Sequence, residues 1–347
     1  MSSKSRHVIS MAIQKPSFEG PAGSIKHVDV ENLSILRRLS LRHLVLAPGG
    51  VREPHWHANA NELGYCIRGT ALITIAANHS ERASFLVNAG DMFFVPSGAM
   101  HCIANWGSDT AEFILGFSHE KPEDFGMHAS FAAMSDSVLG NTYDLPAEAL
   151  SHFDRSTPGR KMFTLGKGPD VEEQAHHINS FKYSVEATPP QIDFRAGTAH
   201  TSKAALWPIL RDIAMFSVRI SGVGMREPHW HPDTAEMGYV VAGKARMTIL
   251  DPDGTTDTYI LGPGDSYFIP RAYPHHIENL GDEACHFLIF FDQTSPGDIG
   301  YRTLINVFSR EVIAATLGLA DSELPAFPLT EIDPLLVARI NTVDAVN

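Results

Sequence analysis

The hexapeptide Arg-Glu-Pro-His-Trp-His occurs twice, at Arg52 to His57 and at Arg226 to His231, an offset of 174 positions. The residues after each copy keep the same offset. Glu62 matches Glu236, Gly69 matches Gly243, Gly90-Asp91 matches Gly264-Asp265, Pro96 matches Pro270, His101 matches His275 and Asn105 matches Asn279. The register runs without a gap from Ile35-Leu36-Arg37, paired with Ile209-Leu210-Arg211, to Phe153, paired with Phe327. Equal loop lengths over that span require equal hairpin geometry, so one domain has been built twice. The period far exceeds the ~20–50 residues of a solenoid unit. The expected division is an N-terminal domain, 1–153, a linker of mixed Gly, Pro and charge, 154–174, and a C-terminal domain, 175–347. Either half is long enough to bury a core.

Within each unit the pattern is β. Tyr65 to Ile75 and Tyr239 to Leu250 are strand-like runs broken at a glycine, and Asp251-Pro-Asp-Gly254 reads as a hairpin turn. Leu86 to Pro96, with its copy Ile260 to Pro270, reads as strand, tight turn, strand. Short strands separated by Gly and Pro turns predict an all-β sandwich or barrel and exclude a βαβ fold. Only Phe131 to Asn141 and Leu304 to Leu317, after each barrel, look helical.

Each copy holds three histidines and a glutamate: His55, His57, Glu62 and His101, then His229, His231, Glu236 and His275. Two histidines two apart on a strand leave the same face. Glu62 follows a polar bend from which a neighbouring strand returns it to that face, and His101 arrives from another hairpin. Three imidazoles and a carboxylate leave two exchangeable positions on a six-coordinate ion. Nitrogen and oxygen donors without thiolate suit Mn²⁺ or Fe²⁺, with Zn²⁺, Ni²⁺ and Cu²⁺ compatible, giving two ions per chain. One His-x-His pair would be weak evidence; the full set found twice is strong.

A net charge of −13 argues against nucleic-acid and anionic-membrane partners, which reward a basic surface. It leaves an anionic substrate open, because a metal and an arginine set their own local potential. No signal-peptide core and no run of ~18 apolar residues is present. Cys66, Cys102 and Cys285 lie in apolar segments and read as free thiols of a reducing compartment, so a cytoplasmic protein is expected. No nucleotide-loop or serine-hydrolase motif occurs. Trp56 and Trp230, between the paired histidines, are expected to face away from the metal.

These residues resemble the two cupin motifs. Gly-x5-His-x-His-x4-Glu-x6-Gly is met by Gly49, His55, His57, Glu62 and Gly69; Gly-x5-Pro-x-Gly-x2-His-x3-Asn is met by Gly90, Pro96, Gly98, His101 and Asn105. The second copy departs at Val223 and Ala272, where the motifs carry glycine. The resemblance implies two tandem double-stranded β-helix (jelly-roll) barrels with short helices after each. It also implies assembly into a homo-oligomer, a trimer or hexamer.

Among bicupins the chain is similar to the oxalate decarboxylase family, through the Arg-Glu-x-His-Trp-His signature and the run from His229 to Glu236. In that family the signature arginine lies beside the metal and pairs with the substrate carboxylate, which points to Arg52 and Arg226. Strict strand alternation instead puts Glu53 with the histidines and turns Arg52 away, unless Pro54 marks a bulge that re-aims it. The resemblance further implies Mn and dioxygen acting on oxalate, loss of CO₂, and protonation of the remainder to formate by a lid glutamate in a Ser-Glu-Asn-Ser-like stretch. Here the lid reads Ser-His-Glu-Lys-Pro-Glu-Asp-Phe-Gly-Met-His128 and lacks that stretch. Asp124 (equivalent to Asp298), Glu123 and His128 are the candidate acids, although such carboxylates also serve as helix caps or solvated loop residues. Leu63-Gly64 and Met237-Gly238 replace bulkier residues and predict an enlarged or reshaped pocket. The alternatives are an oxalate oxidase, a cupin dioxygenase or isomerase acting on a larger acid, and a non-catalytic storage or sensor bicupin. The last is disfavoured because all eight ligands are kept.

Overall fold

The computed structural model describes residues 6–155, 161–166 and 179–343. Among these, four antiparallel sheets form two jelly-roll barrels. In the first barrel one sheet carries Gly50–His57 between Met100–Ala104 on one side and the short strands Asp124–Gly126 and Met162–Thr164 on the other. Its facing sheet is centred on Glu62–Arg68, flanked by Met92–Val95 and Ala111–Phe117. The second barrel repeats the arrangement, with Gly224–Trp230 and Glu236–Ala242 as the corresponding strands. Strand breaks fall where glycine was expected to set them: Gly69, Gly90, Gly243, Gly254 and Gly264 all adopt positive φ.

Each barrel has its own apolar interior, built on Phe85, Phe93 and Phe113 in the first and on Ile249, Tyr267 and Phe287 in the second. A third core joins the barrels. Leu36, Leu63, Phe94, Met215, Met237 and Phe268 are all fully buried within it.

The strand pairing does not follow the division at 154–174. Val8–Ser10 pairs with Asp265–Ile269 of the second barrel, and Lys182–Tyr183 pairs with Met92–Val95 of the first. The barrels exchange their leading strands, and the 174 offset extends to them. Met162–Thr164, inside the expected linker, pairs with Gly50–His57, as Leu336–Ala338 pairs with Gly224–Trp230. Positions 156–160 and 167–174 of that linker lie outside the described residues.

The helical stretches are shorter than their patterns suggested. Met127–Ala132 and Asp136–Tyr143 replace one helix over 131–141, and Tyr301–Leu304 and Arg310–Thr316 replace one over 304–317. The breaks come from serine: Ser135 and Ser309 cap the second helix of each pair by accepting from the Val138 and Val312 amides.

Candidate metal centres

Three strands from two sheets bring each ligand set together. His55, His57, Glu62 and His101 are buried and their ligand atoms lie within 4.8 Å of one another, as do those of His229, His231, Glu236 and His275. The glutamates come from the facing sheet, across the barrel, instead of from a neighbour in the histidine sheet. Every histidine is tied outward through Nδ1. His55, His57 and His101 contact the Glu53 carbonyl at 2.8 Å, Asp124 at 2.8 Å and the Ala99 carbonyl at 3.2 Å. His229, His231 and His275 contact the carbonyls of Glu227, Gly297 and Tyr273 at 2.7, 2.9 and 2.9 Å. Those outer partners leave Nε2 as the free lone pair pointing inward, the orientation a metal-bound imidazole requires. Oε2 of Glu62 sits 2.7 Å from Nε2 of His57 and 3.1 Å from that of His101. The other oxygen, Oε1, is sealed from solvent with no protein partner. A buried carboxylate oxygen among three imidazole nitrogens fits a divalent cation.

The signature arginines face inward because the strand is bulged. His55 pairs with His101 but Arg52 pairs with Ile103, so three steps on Gly50–His57 oppose two on Met100–Ala104. The same extra residue separates His229 from Arg226. The bulge spans Glu53-Pro54, where proline supplies no ladder donor. It puts Arg52 on the metal side, as Pro54 suggested, and sends Glu53 beneath the helix that starts at Met127. Arg52 is buried, with one guanidinium nitrogen donating to the Lys161 carbonyl at 3.0 Å and the other to Asp124 at 3.1 Å. Arg226 repeats both contacts, to the Leu335 carbonyl at 3.0 Å and to Asp298 at 2.6 Å.

Asp124 is the hub of the first site. Besides His57 and Arg52 it accepts two hydrogen bonds from Arg42, at 2.7 and 2.9 Å. Burial opposes its charge, but His57 and Arg42 overcome that and hold the carboxyl far below the usual aspartate range. A carboxylate so held orients the imidazole and the arginines; it is badly placed to give up a proton. Glu123 is exposed, anchored through its backbone to Ala58 and Asn59. His128 lines an apolar cavity with Glu53, Pro54, Met127, Phe131 and Phe163, away from the ligand set.

The two sites differ where the sequence motifs do not. Arg42, which motif reading missed, lies over the Phe117 ring at 4.6 Å. Its equivalent is Phe216, packed 4.8 Å from Phe291. Beside the first site lies a polar cavity of about 130 Å³ lined by His27, Ser40, Arg42, Arg52, Asp124 and Lys161. At the second, only about 30 Å³ remains, where Phe216, Ile289, Phe291 and Leu336 crowd Arg226, His231, Glu236 and Asp298. The signal available in the sequence was the pairing of Arg42 with Phe216 at the 174 offset, one difference among several along that strand.

A second difference concerns the glutamate ligands. The Tyr267 hydroxyl donates to Oε1 of Glu236 at 2.7 Å, whereas the equivalent Phe93 leaves Oε1 of Glu62 bare. These rings also correct the expectation of an enlarged pocket. A Cβ on Gly64 would meet the Phe93 ring at 2.2 Å, and one on Gly238 the Tyr267 ring at 2.2 Å. The space beside each glycine is filled by an aromatic ring. Leu63 and Met237 point into the core between the barrels. Trp56 and Trp230 face outward as expected, against Phe125 and Tyr301.

The sequence profile of the Cupin family matches residues 9–150 and again 183–324. The chain belongs to the cupin family. This bicupin is 30% identical over 308 residues to an oxalate decarboxylase of Bacillus subtilis, covering 86% of this chain and 78% of that protein. It is 25% identical over 313 residues to a probable oxalate decarboxylase of Arthroderma benhamiae, covering 86% and 75%. A solved structure of the Bacillus subtilis enzyme, studied for the EPR parameters of its Mn(II) centres, superposes with a TM-score of 0.86 at 26% identity. That match covers 98% of this cupin and 90% of the solved chain. No helix among the described residues is long and apolar enough to cross a membrane.

Proposed function

We propose that this bicupin is a Mn²⁺-dependent lyase of the oxalate decarboxylase type, converting oxalate to formate and CO₂ in its N-terminal barrel. The observation that carries this reading is a polar cavity of about 130 Å³ that meets the first ligand set through Asp124 and its contact with His57, against about 30 Å³ at the second set. Arg42, Arg52 and Lys161 line the first cavity with Asp29 and Asp124, and Phe216 and Leu336 narrow the second. The relatives that act on oxalate supply the substrate class.

His55, His57, Glu62 and His101 hold the catalytic ion, and His229, His231, Glu236 and His275 hold a second, more enclosed one. When bound, the manganese supplies open positions for a carboxylate and a one-electron couple for dioxygen. The remaining work falls to the chain. Arg52, its plane fixed by the Lys161 carbonyl, receives one substrate carboxylate in the two-pronged manner guanidinium favours. Asp124 and Arg42 position His57 and Arg52, while Arg226 and Asp298 do the same around the second ion. Glu123, exposed on the lid, is the remaining carboxyl that can relay a proton from solvent. The free Cys66, Cys102 and Cys285 support a reducing, cytoplasmic setting. Exposed Val307, Phe308, Val312 and Leu317 on the segment after the second barrel support assembly as a trimer or hexamer.

One observation favours the oxidase as a second reading. Among the described residues the lid carboxyl in contact with a ligand of the first ion is Asp124, which is committed to Arg42, Arg52 and His57, while Glu123 is exposed. Oxidation to CO₂ and peroxide does not require an acid that protonates carbon. Incubation of Mn-loaded protein with oxalate decides between them. Formate produced with only catalytic dioxygen supports the decarboxylase, peroxide without formate supports the oxidase, and inertness toward oxalate sinks both.

A further inference from the structure

One group of metal-ligating side chains lies outside both barrel centres. His7, Asp251 and Asp257 meet beside the second barrel, their ligand atoms within 4.8 Å of one another. His7 precedes the exchanged strand Val8–Ser10; Asp251 and Asp257 flank the turn between Ala245–Leu250 and Thr256–Leu261. His7 is 0% and Asp251 2% exposed. Nδ1 of His7 donates to the Phe268 carbonyl at 2.9 Å, so in the neutral ring Nε2 carries a lone pair. That lone pair faces Oδ1 of Asp251 at 3.4 Å. Both atoms are sealed from water without a hydrogen-bond partner.

Two acceptors confronting each other in a dry site repel unless positive charge lies between them. The 3.4 Å gap is longer than the ~2.7–2.9 Å of a charge-assisted hydrogen bond. It fits the separation of about 3.3 Å between two donors that are each ~2.0–2.1 Å from a tetrahedral ion. All three groups also have the outer partners that orient metal ligands. The Phe268 carbonyl holds His7, Arg6 donates to Oδ2 of Asp251 at 3.1 Å, and the Tyr259 hydroxyl donates to Asp257 at 3.2 Å.

The chain supplies its own control. At the 174 offset these positions are Phe181, Ala77 and Ala83; Phe181 is buried in the apolar core of the first barrel, and the two alanines, partly buried, pack against it. The polar residues occur as a complete set in one barrel, and none of them occurs in the other. Residues that answer to a single ligand are expected to vary in this way.

We propose that His7, Asp251 and Asp257 form a third cation site, a structural Zn²⁺ site that clamps the exchanged N-terminal strand to the second barrel. The ion takes Nε2 of His7 and one oxygen from each aspartate, with water in the fourth position. Its role is independent of the reaction the barrels perform.

The test is an ion count on the full chain after saturation with Mn²⁺ and Zn²⁺ and gel filtration, read as a difference between variants. The triple variant His7→Phe, Asp251→Ala, Asp257→Ala, which imports the residues of the first barrel, is expected to bind one ion fewer per chain. Asp257→Asn keeps the buried His7–Asp251 pair and changes only a part-buried side chain, so it guards against loss of folding. It too is expected to lose one ion, and with it the rise in Tm that added Zn²⁺ gives the wild type. Anomalous scattering at the zinc edge is expected to place density between His7 and Asp251. Equal ion counts in wild type and Asp257→Asn, with no zinc density there, overturn the site and leave a buried imidazolium–carboxylate pair.

Discussion

At the scale of single residues, the ligands were legible and their outer partners were not. Histidine and glutamate at fixed spacing announce a metal, because few other arrangements bury three imidazoles around a carboxylate. Arg42, Asp124 and Tyr267 act through contacts made by distant strands; a mismatch between the copies hinted at Arg42 and Tyr267, while Asp124 was visible as a residue but not in its role. Asp124, read in the sequence as a candidate acid, is better described as a positioning residue, and Arg42 holds it. Replacing Arg42 by Phe, the residue of the second barrel, removes two charge-assisted hydrogen bonds from Asp124. At about 1.5–3 kcal/mol for hydrogen bonds to charged groups, kcat/KM should fall about 10- to 100-fold. Metal content of the first site should be unchanged. Steady-state kinetics beside elemental analysis check this, and unaltered kinetics would remove Arg42 from the site. Tyr267→Phe makes the converse exchange, stripping Glu236 of its one donor, among the described residues, other than the site histidines. Loss of such an outer contact typically weakens metal binding about 10- to 100-fold. Chelator competition on Mn-loaded protein should show the second ion leaving first in the variant, with the first ion unaffected.

The strand elements show how local chemistry overrides simple alternation. A two-residue period puts Glu53 on the metal side; the bulge across Glu53-Pro54 shifts the register by one and delivers Arg52 instead. Proline gave that away in both copies, since it removes one ladder donor where the extra residue must sit. The turns before His101 and His275 carry a related tension. Gly98 has φ 79° with no neighbour near its Cβ position, and Ala272 has φ 63° at the equivalent place. An L-residue in the left-handed region costs about 1–2 kcal/mol, offset in part by the ~0.5–1 kcal/mol of extra backbone entropy that glycine loses on folding. Ala272→Gly is therefore expected to stabilise the protein by about 0.5–1 kcal/mol, and Gly98→Ala to destabilise it by a similar amount. Urea unfolding midpoints measure both, and a midpoint lowered by Ala272→Gly would mean that the alanine is not strained.

For the whole molecule, the sequence disclosed two equal barrels but not that each completes the other. A repeat read as a line of text suggests two domains joined by a linker. Whether a leading strand folds back on its own barrel or crosses to its neighbour depends on non-local pairing, on which local periodicity is silent. Here Val8–Ser10 crosses to Asp265–Ile269, and the Phe268 and Met11 amides bond to the His7 and Gly264 carbonyls across the same seam. Met215, Met237, Phe268 and Leu288 of the second barrel are fully buried in the core it shares with the first. Exposing four such side chains costs about 6–12 kcal/mol at ~1.5–3 kcal/mol each, comparable to the ~5–15 kcal/mol that stabilises a whole domain. A fragment beginning at Ser180 keeps every ligand of the second ion yet loses both the strand and the shared core. It is expected to associate or to bind a hydrophobic dye, and to hold its ion poorly. Joining residues 6–15 to it through a flexible linker should restore strand pairing, and with it part of the thermal stability, while leaving the shared core uncovered. Sedimentation, dye binding and thermal melts of the two fragments provide the check. A monomeric Ser180 fragment that melts with the intact chain would show the barrels to be independent after all, and the exchanged strands to be dispensable.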